Sequence, residues 1–385
     1  MNKYDIIIIG AGAAGLMAAA TAVARGKQVL VLEMANAPAR KVMISGGGNC
    51  NITNTNATFN RYVGKNPQFT RGALATVIFA DILNWANKNK LKPFEKTPGR
   101  YFCAAGANAV VNALINNVKG ANILYNTPVT KVVKQQDKFT VLTSTAKFTA
   151  DSVIVATGGI SFDSVGVSDI GYKIAKDFGH KIIPVRPALC AIATSQTPND
   201  LSGLSVNVQI SVEKHKIQDD LLFTHFGIGG PAAYRASLFD MSDGFYIDFI
   251  PNTDITNIIY DAKQKNGRIK TTTLISQYLP IRLAKWLTNN NTQNIADLNK
   301  TDIQEIANKI HNFYINNSDI KMHNMKSAEV VRGGISTDDI SSKTMESKIC
   351  KNLFFVGEVL DITGDLGGFN LHWAWASGII AGQNA

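Results

Sequence analysis

The sequence of 385 residues predicts an α/β protein whose parallel sheet is interrupted by an inserted region. Two apolar runs, at residues 5–9 and 28–32, flank a glycine-rich turn and an alanine-rich stretch. This pattern is typical of a strand–helix–strand unit buried on both faces. The pattern stops near Ala191 and returns near Val330 with a further strand and helix. We therefore predict one discontinuous α/β domain that carries an insert.

The turn after the first strand, residues 10–15, reads Gly-Ala-Gly-Ala-Ala-Gly and has the spacing of a dinucleotide-binding loop. Gly10 permits the tight turn, Gly12 leaves room for a pyrophosphate at the helix N-terminus, and Gly15 lets the helix pack closely on the sheet. Glu33 ends the second strand, near the position of the carboxylate that hydrogen-bonds the adenosine ribose. An acid there favours FAD or NAD over NADP.

A second glycine-rich segment follows the second strand. Ser45-Gly46-Gly47-Gly48 does not suit the interior of a helix or strand, and it offers exposed backbone N–H groups. Arg40 and Lys41 place two cations beside it. This combination favours an anionic ligand such as the pyrophosphate and ring edge of a flavin cofactor. A flexible surface loop is the alternative.

Two more turns lie at the ends of predicted strands. Thr157-Gly158-Gly159 allows close approach of a cofactor or of backbone, although it also suits a plain tight turn. Gly357-Glu358 closes the last strand, and Gly367-Gly368 opens a helix over residues 369–383. The positive end of that helix would stabilise an anionic reduced isoalloxazine ring. Trp373, within this helix, and its neighbour Trp375 are predicted to pack in the core.

Periodicity predicts the remaining elements. We expect one long helix over residues 70–89, a hairpin over 94–102 around Pro98-Gly99, and a second hairpin over 129–142. Short alternating segments from residue 206 predict antiparallel strands, and residues 255–313 predict helices.

Composition limits the other classes of function. Lys and Arg number 39 against 29 Asp and Glu, a net charge of +10, which suits nucleic acid, anionic membrane or an acidic substrate. The basic residues are dispersed, so a solvated surface is favoured and nucleic-acid binding is not expected. No apolar run approaches the roughly 20 residues of a membrane span, and no metal site is predicted. The four dispersed cysteines indicate a cytoplasmic protein, with Cys50 a packed residue rather than a nucleophile.

Taken in order, these motifs resemble those of the BaiN/YhiN-type bacterial FAD-dependent oxidoreductases over essentially the whole chain. The resemblance also rests on residues 45–54, 223–227, 332–335 and 357–371. It implies a Rossmann-like, glutathione-reductase-like domain that binds FAD non-covalently, with an inserted β-barrel and helical bundle. It places residues 1–190 and 331–385 in the FAD domain, 191–252 and 322–330 in the barrel, and 253–321 in the helical domain.

The resemblance also implies roles for individual residues. Glu33 would bind the adenosine ribose, Val129 would bind through its backbone, and Gly368 to Leu371 would lie at the flavin ring. Glu358 and Asp361 would lie near the ribityl chain and pyrophosphate. The full set of predicted cofactor-binding residues is Gly10, Ala11, Gly12, Ala13, Ala14, Gly15, Glu33, Arg40, Lys41, Ser45, Gly46, Gly47, Gly48, Asn51, Val129, Thr157, Gly158, Gly159, Gly357, Glu358, Asp361, Gly367, Gly368, Phe369, Asn370 and Leu371.

The leading functional hypothesis is an FAD-dependent oxidoreductase that exchanges hydride between flavin N5 and a small organic substrate, such as an enone or an amino ketone. The substrate would be held between the FAD domain and the insert. Candidate proton donors are His225, His372 and Tyr101, and Arg332 could hold a substrate carboxylate. No second GxGxxG is present, but NAD(P)H could still dock transiently as electron donor. The alternatives are a flavoprotein that acts on RNA, through the basic surface and the insert, and a module that holds FAD without turnover.

Overall fold

A computed structural model describes residues 3–322 and 325–385 of the chain. The strands in chain order are β1 (Lys3–Ile9), β2 (Val29–Leu32), β3 (Asn51–Asn54), β4 (Tyr62–Val63), β5 (Pro93–Thr97), β6 (Arg100–Cys103), β7 (Asn122–Leu124), β8 (Val129–Gln135), β9 (Lys138–Thr143), β10 (Lys147–Val155), β11 (Ile182–Ala188), β12 (Ile192–Ala193), β13 (Ser205–Val212), β14 (His215–Thr224), β15 (Gly227–Gly229), β16 (Phe245–Asp248), β17 (Phe313–Ile315), β18 (Lys321–Met322), β19 (Val330–Ile335), β20 (Leu353–Phe355) and β21 (Thr363–Gly364).

The α-helices are α1 (Ala13–Ala24), α2 (Arg40–Ile44), α3 (Arg71–Thr76), α4 (Phe79–Lys88), α5 (Gly106–Asn117), α6 (Ile170–Asp177), α7 (Gly230–Ala236), α8 (Ile255–Asn266), α9 (Thr271–Ile275), α10 (Ile281–Leu287), α11 (Lys300–His311) and α12 (Phe369–Asn384). The chain forms two compact units: Met1–Pro187 with Met325–Ala385, and Ala188–Asn324. We call them the first and second units.

The first unit is built on a parallel sheet with the strand order β7–β2–β1–β10–β20. Its central strand β1 is buried on both faces, and Ile6 to Ile9 are each at most 3 % exposed. Helix α1 connects β1 to β2, which lie side by side with Ile6 opposite Val29. The β8–β9 hairpin pairs antiparallel to the first half of β10. The predicted parallel α/β sheet is therefore present.

Helix α12 returns to this sheet and packs along α1. A Cβ atom built on Gly378 would lie 2.4 Å from the carbonyl oxygen of Ala14, and one on Gly382 would lie 2.5 Å from that of Ala18. The two backbones therefore touch where side chains would separate them. Trp373 and Trp375 are 1 % and 0 % exposed, as the core-packing prediction requires.

The single helix predicted over residues 70–89 is two helices, α3 and α4. Val77 between them is extended (φ −118°, ψ 94°), so the helical hydrogen-bond ladder ends at α3. The carbonyl oxygen of Val77 instead accepts a hydrogen bond from Nε2 of His372. A partner nearly three hundred residues away thus takes the acceptor that a continuous helix would use, which the local pattern could not indicate.

The second unit contains an antiparallel sheet with the strand order β17–β16–β13–β14–β15–β12–β18. Helix α7 packs on β14, and α8 to α11 lie between β16 and β17 in the chain. The unit has an apolar core of its own, with Phe223, Phe245 and Phe249 among its most buried members. A closed barrel, a separate helical domain and the domain limits given above remain predictions.

Candidate functional site

The glycine loop after β1 is held against the end of β10. Gly10 has φ +106°, a conformation that favours glycine, and its missing Cβ would lie 2.5 Å from the carbonyl oxygen of Ala156. The missing Cβ of Gly15 would lie 2.0 Å from the carbonyl oxygen of Gly10. By contrast, nothing lies within 4 Å of the Cβ position of Gly12. Gly10 and Gly15 therefore serve the fold, and Gly12 leaves an open face at the N-terminus of α1.

Glu33 lies beside this loop. Its carboxylate accepts hydrogen bonds from the backbone N–H of Ala11 (Oε2, 2.7 Å) and of Ala35 (Oε1, 2.8 Å). The backbone carbonyl of Glu33 accepts from the N–H of Thr127, two residues before Val129 at the start of β8. The structure thus brings Glu33 to the glycine loop and the segment before Val129 to Glu33, and the roles of Glu33 and Val129 toward the cofactor stay predictions.

The second glycine segment is an open turn. Gly46, Gly47 and Gly48 all have positive φ, and nothing lies within 4 Å of the Cβ positions of Gly47 and Gly48. Gly46 is packed instead, because its Cβ would lie 2.8 Å from the ring of Phe102. Helix α2 leads into this segment. Ala39, the residue before α2, donates its N–H to the carbonyl oxygen of Ala11, which fixes α2 to the dinucleotide-binding loop.

Two predicted cofactor ligands, Lys41 and Glu358, bind each other. Lys41 Nζ lies 3.0 Å from Glu358 Oε2, and both side chains are half-buried. The Glu358 carboxylate also accepts from the backbone N–H of Gly159 (3.3 Å) and of Val331 (2.9 Å), and from Oγ of Ser161 (3.4 Å). The carboxylate therefore joins the end of β10, helix α2 and strand β19. Sequence analysis missed Ser161 and Val331, because neither belongs to a motif.

The turn at Thr157 contains an unpartnered polar atom. Among the residues that the structure describes, Thr157 Oγ1 is buried without a hydrogen-bond partner, as is the hydroxyl of Tyr172 on α6. Burial, reinforced by the charge of Glu358, raises the pKa of Tyr172. Gly158 has φ +71° and little around its Cβ position. Thr157 Oγ1 therefore keeps unused hydrogen-bonding capacity at this turn, among the residues that the structure describes.

Asp361 is a buried carboxylate. It is 2 % exposed, and Oδ2 accepts from the backbone N–H of Lys65 at 2.8 Å. Burial raises its pKa, while the positive charge of Arg332 acts in the opposite direction. Arg332 therefore lies near a carboxylate of its own fold. Its predicted contact with a substrate remains a prediction.

The turn before α12 is fixed by side chains from distant segments. Asn54 Nδ2 donates to the carbonyl oxygen of Gly367 (2.8 Å), and the Tyr62 hydroxyl donates to that of Phe369 (2.9 Å). The Asn370 side chain forms two hydrogen bonds to the backbone of Gly364. These contacts hold the first turn of α12, which contains Leu371, in one orientation. Sequence analysis gave no role to Asn54, which lies within residues 45–54, and missed Tyr62.

The two glycines of this turn pack against protein. The missing Cβ of Gly367 would lie 2.6 Å from Arg100 Nε, and that of Gly368 would lie 2.6 Å from the carbonyl oxygen of Thr53 and 2.7 Å from Oδ1 of Asn51. Both glycines have positive φ. They allow β3 and Arg100 to approach the turn, and the predicted contact of its backbone with the flavin ring stays a prediction.

His372 is fully engaged within the fold. It is 0 % exposed, Thr53 Oγ1 donates to Nδ1 (2.7 Å), and Nε2 donates to the Val77 carbonyl oxygen (3.0 Å). Burial lowers its pKa, so the ring is neutral at pH 7. Tyr101 on β6 packs edge-on against Phe79, and His225 is an exposed residue of the second unit. His225 belongs to the second unit and the other three candidates to the first, and the catalytic roles of all four stay predictions.

Cys50 is buried beneath the second glycine segment. It is 0 % exposed, and burial raises the pKa of its thiol to about 11. A thiol of this kind is protonated at neutral pH and is a poor nucleophile. The arrangement agrees with a packing role.

The architecture of the first unit has three defining features. They are a dinucleotide-binding loop on a parallel sheet, an acid after β2, and the return of the chain to the sheet through α12. The family model described as HI0933-like protein Rossmann domain matches residues 4–384. The chain belongs to the HI0933-like family. This confirms the resemblance to BaiN/YhiN-type flavoproteins and identifies the chain as an FAD-dependent oxidoreductase with a Rossmann-type FAD-binding domain.

Three curated relatives align with this chain over almost its whole length. It is 36 % identical to a ribosomal RNA dihydrouridine synthase of Haemophilus influenzae, over 98 % of this chain and 97 % of the relative. It is 32 % identical to the Escherichia coli protein of the same name, over 100 % and 98 %. It is 27 % identical to a 3-dehydro-bile acid delta(4,6)-reductase of Clostridium scindens, over 100 % and 99 %. Within residues 3–322 and 325–385, no helix is both long and apolar enough to cross a membrane.

Proposed function

We propose that this protein reduces the C5=C6 double bond of uridine in ribosomal RNA. The observation that carries the proposal is that two relatives, 36 % and 32 % identical over nearly their whole lengths, share the name ribosomal RNA dihydrouridine synthase. The relative named as a bile-acid reductase is less similar, at 27 %. Of the functions that the sequence suggested, we therefore favour the flavoprotein that acts on RNA over the oxidoreductase that acts on a small free substrate.

The two names describe closely related chemistry. Uracil C5=C6 is conjugated to the C4 carbonyl, and a delta-4 double bond of a 3-oxo steroid is conjugated to its ketone. In each reduction, hydride adds to the carbon remote from the carbonyl and a proton adds to the neighbouring carbon. Bound FAD, once reduced by a two-electron donor such as NAD(P)H, would supply the hydride, and the proton would come from solvent. One site geometry can therefore have diverged toward either substrate.

The residues of the first unit suit bound FAD. Gly12, Gly47 and Gly48 present backbone with no protein atom within 4 Å of their Cβ positions, and Glu33 lies beside the loop at Ala11. Asn54 and Tyr62 fix the N-terminus of α12, whose free N–H groups and positive partial charge would face the ring. These groups would bind and orient the cofactor, which we propose is held without a covalent bond.

The distribution of charge supports a polyanionic substrate. Residues 1–187 and 325–385 contain 27 Lys and Arg against 16 Asp and Glu, a net charge of +11. The second unit contains 12 against 13 and is nearly neutral, at −1. The excess positive charge is therefore confined to the unit that carries the flavin site, where it would attract RNA phosphates.

The decisive experiment is turnover on two substrates. The FAD-loaded protein is incubated anaerobically with NADH or NADPH and in vitro transcribed ribosomal RNA, and nucleosides are then analysed by mass spectrometry. We expect a gain of two mass units in uridine. A parallel reaction contains a 3-oxo-delta-4 steroid. Reduction of the steroid alone would overturn the proposal in favour of a small-enone reductase.

A further inference from the structure

We propose that residues 88–100 of the first unit bind the phosphate backbone of the RNA beside the flavin site. This segment, which we call the basic hairpin, comprises the last residue of α4, the connection to β5, strand β5 and the turn into β6. The inference rests on the proposed function, and its experiment separates the two.

The basic hairpin carries a concentrated positive charge. Lys88, Lys90, Lys92 and Lys96 are all exposed. Among the described residues, no ion pair involves Lys88, Lys90 or Lys92. The single acid of the segment, Glu95, accepts a hydrogen bond from the backbone N–H of Gly99. The lysines are therefore available to phosphates, since the fold does not neutralise them.

The backbone is strained at two of these lysines. Lys90 and Lys92 have φ of +60° and +51°, a region that favours glycine or asparagine. Between them, Leu91 is 1 % exposed and donates its N–H to the Ala86 carbonyl oxygen. The carbonyl oxygen of Lys92 accepts from the N–H of Ala104. The burial of Leu91 thus fixes the connection between α4 and β5, and an exposed lysine lies on each side of Leu91. Glycine or asparagine at either lysine position would be less strained.

An exposed aromatic ring accompanies the lysines. Phe94 on β5 is 38 % exposed, and its ring lies 6.2 Å from that of its cross-strand neighbour Phe102. Lys96 Nζ lies 5.3 Å from the Phe102 ring centroid. Strand β5 is an edge strand of the sheet β3–β6–β5. Exposed aromatic faces among cations suit unpaired bases, which stack on rings while phosphates bind the lysines.

The basic hairpin is attached directly to the predicted flavin site. Strand β6, which follows the basic hairpin, pairs with β3, with Asn51 opposite Phe102. Asn51 lies at Gly368, and Arg100, at the end of the segment, packs on Gly367. RNA bound along the hairpin would therefore have a nucleotide next to the N-terminus of α12.

The test removes charge and relieves strain together. The variant Lys90→Gly/Lys92→Gly is compared with Lys131→Gln/Lys147→Gln, two exposed lysines on β8 and β10. We measure the thermal unfolding midpoint, FAD content and affinity for in vitro transcribed ribosomal RNA between 50 and 200 mM salt. Loss of two phosphate contacts should weaken affinity on the order of tenfold and reduce the slope of log K against log salt by about 1.5. The midpoint should stay constant or rise.

The outcomes are distinct. If the wild type forms dihydrouridine while the glycine variant keeps its RNA affinity and salt slope, the basic hairpin is not the contact and the proposed function stands. If the wild type neither binds nor modifies ribosomal RNA, the proposed function itself fails. Vesicles of phosphatidylserine and phosphatidylcholine form a third arm. If the glycine variant loses binding to vesicles but keeps binding to RNA, the segment is a membrane contact and the inference is overturned.

Discussion

The Glu33 carboxylate accepts a hydrogen bond from the backbone N–H of Ala11 at 2.7 Å and so joins the end of β2 to the middle of the glycine loop. The second carboxylate oxygen accepts from Ala35. One side chain therefore orders the loop and carries the negative charge that the sequence predicts to bind the adenosine ribose. Its replacement should affect cofactor binding and folding by separable amounts.

Glu33→Arg should weaken FAD binding by about 1.5–3 kcal/mol, because a charge-assisted hydrogen bond to the ribose is lost. Glu33→Gln keeps one acceptor oxygen and should lose less. Titration of apoprotein with FAD, followed by flavin fluorescence, measures both affinities, and the unfolding midpoint of each apoprotein reports the effect on the loop. Wild-type affinity in Glu33→Arg would show that Glu33 is not the ribose ligand.

Gly12→Ala and Gly15→Ala form a matched pair in one loop. Gly12 has an extended conformation that alanine adopts (φ −79°), and its added Cβ meets no protein atom within 4 Å. We expect Gly12→Ala to fold like the wild type and to bind FAD more weakly. The added Cβ of Gly15 would collide with the Gly10 carbonyl oxygen, so Gly15→Ala should be less stable by about 1–3 kcal/mol.

Chemical denaturation of the two apoproteins and FAD titration check both halves of this prediction. An unchanged FAD affinity in Gly12→Ala would mean that no pyrophosphate lies against this backbone. An unchanged stability in Gly15→Ala would mean that the loop shifts away from β10 at little cost.

The purified protein should be yellow and should release its flavin on acid precipitation. None of the six histidines precedes His180, and Cys50 is buried with its thiol protonated, so the chain near the glycine loops offers few groups for a covalent link. Absorbance of the acid supernatant at flavin wavelengths is the measurement. Colour that stays in the pellet contradicts the prediction.

Stability should fall as the pH is lowered from 7 to 5. Burial lowers the pKa of His372 and of His180 below the ordinary value, so the unfolded chain takes up these protons below about pH 6.5 while the folded chain does not. Each histidine then reduces the free energy of unfolding by up to about 1.4 kcal/mol per pH unit.

His372→Gln should make this pH dependence shallower, and His225→Gln, at an exposed position, should leave it as it is. Denaturant titrations at several pH values give the slopes. The comparison depends on slopes rather than on absolute stability, so a general loss of stability in His372→Gln does not obscure it. Equal slopes in His372→Gln and the wild type would contradict the neutral, buried state of this ring.

What could be predicted from the sequence is local. The glycine loop, the acid after β2, the hairpin at Pro98-Gly99 and the burial of Trp373 all depend on residues close together in the chain, and all are present. Spacing and periodicity are short-range properties, so they identify such features well. The family resemblance added the FAD cofactor.

The remaining features depend on contacts between distant segments. At the break between α3 and α4, the Val77 carbonyl oxygen accepts a hydrogen bond from His372, and the Lys41–Glu358 bond joins residues 317 positions apart. The packing of Arg100 and β3 against Gly367 and Gly368 likewise joins segments that are distant in the sequence. The left-handed backbone conformations of Lys90 and Lys92 could not be predicted, because lysine rarely adopts that conformation and nothing in the residue type indicates it.

The contact between α1 and α12 has a consequence for synthesis on the ribosome. At roughly 5–20 residues per second, translation separates the two helices by on the order of tens of seconds. The second unit is continuous in sequence and emerges within that interval, with an apolar core of its own. During that interval the small-residue face of α1 is uncovered, because Gly378 and Gly382 of α12 have not yet been synthesised. We expect the nascent chain to need a chaperone or the ribosome surface to shield α1, and to capture FAD only after α12 has left the exit tunnel.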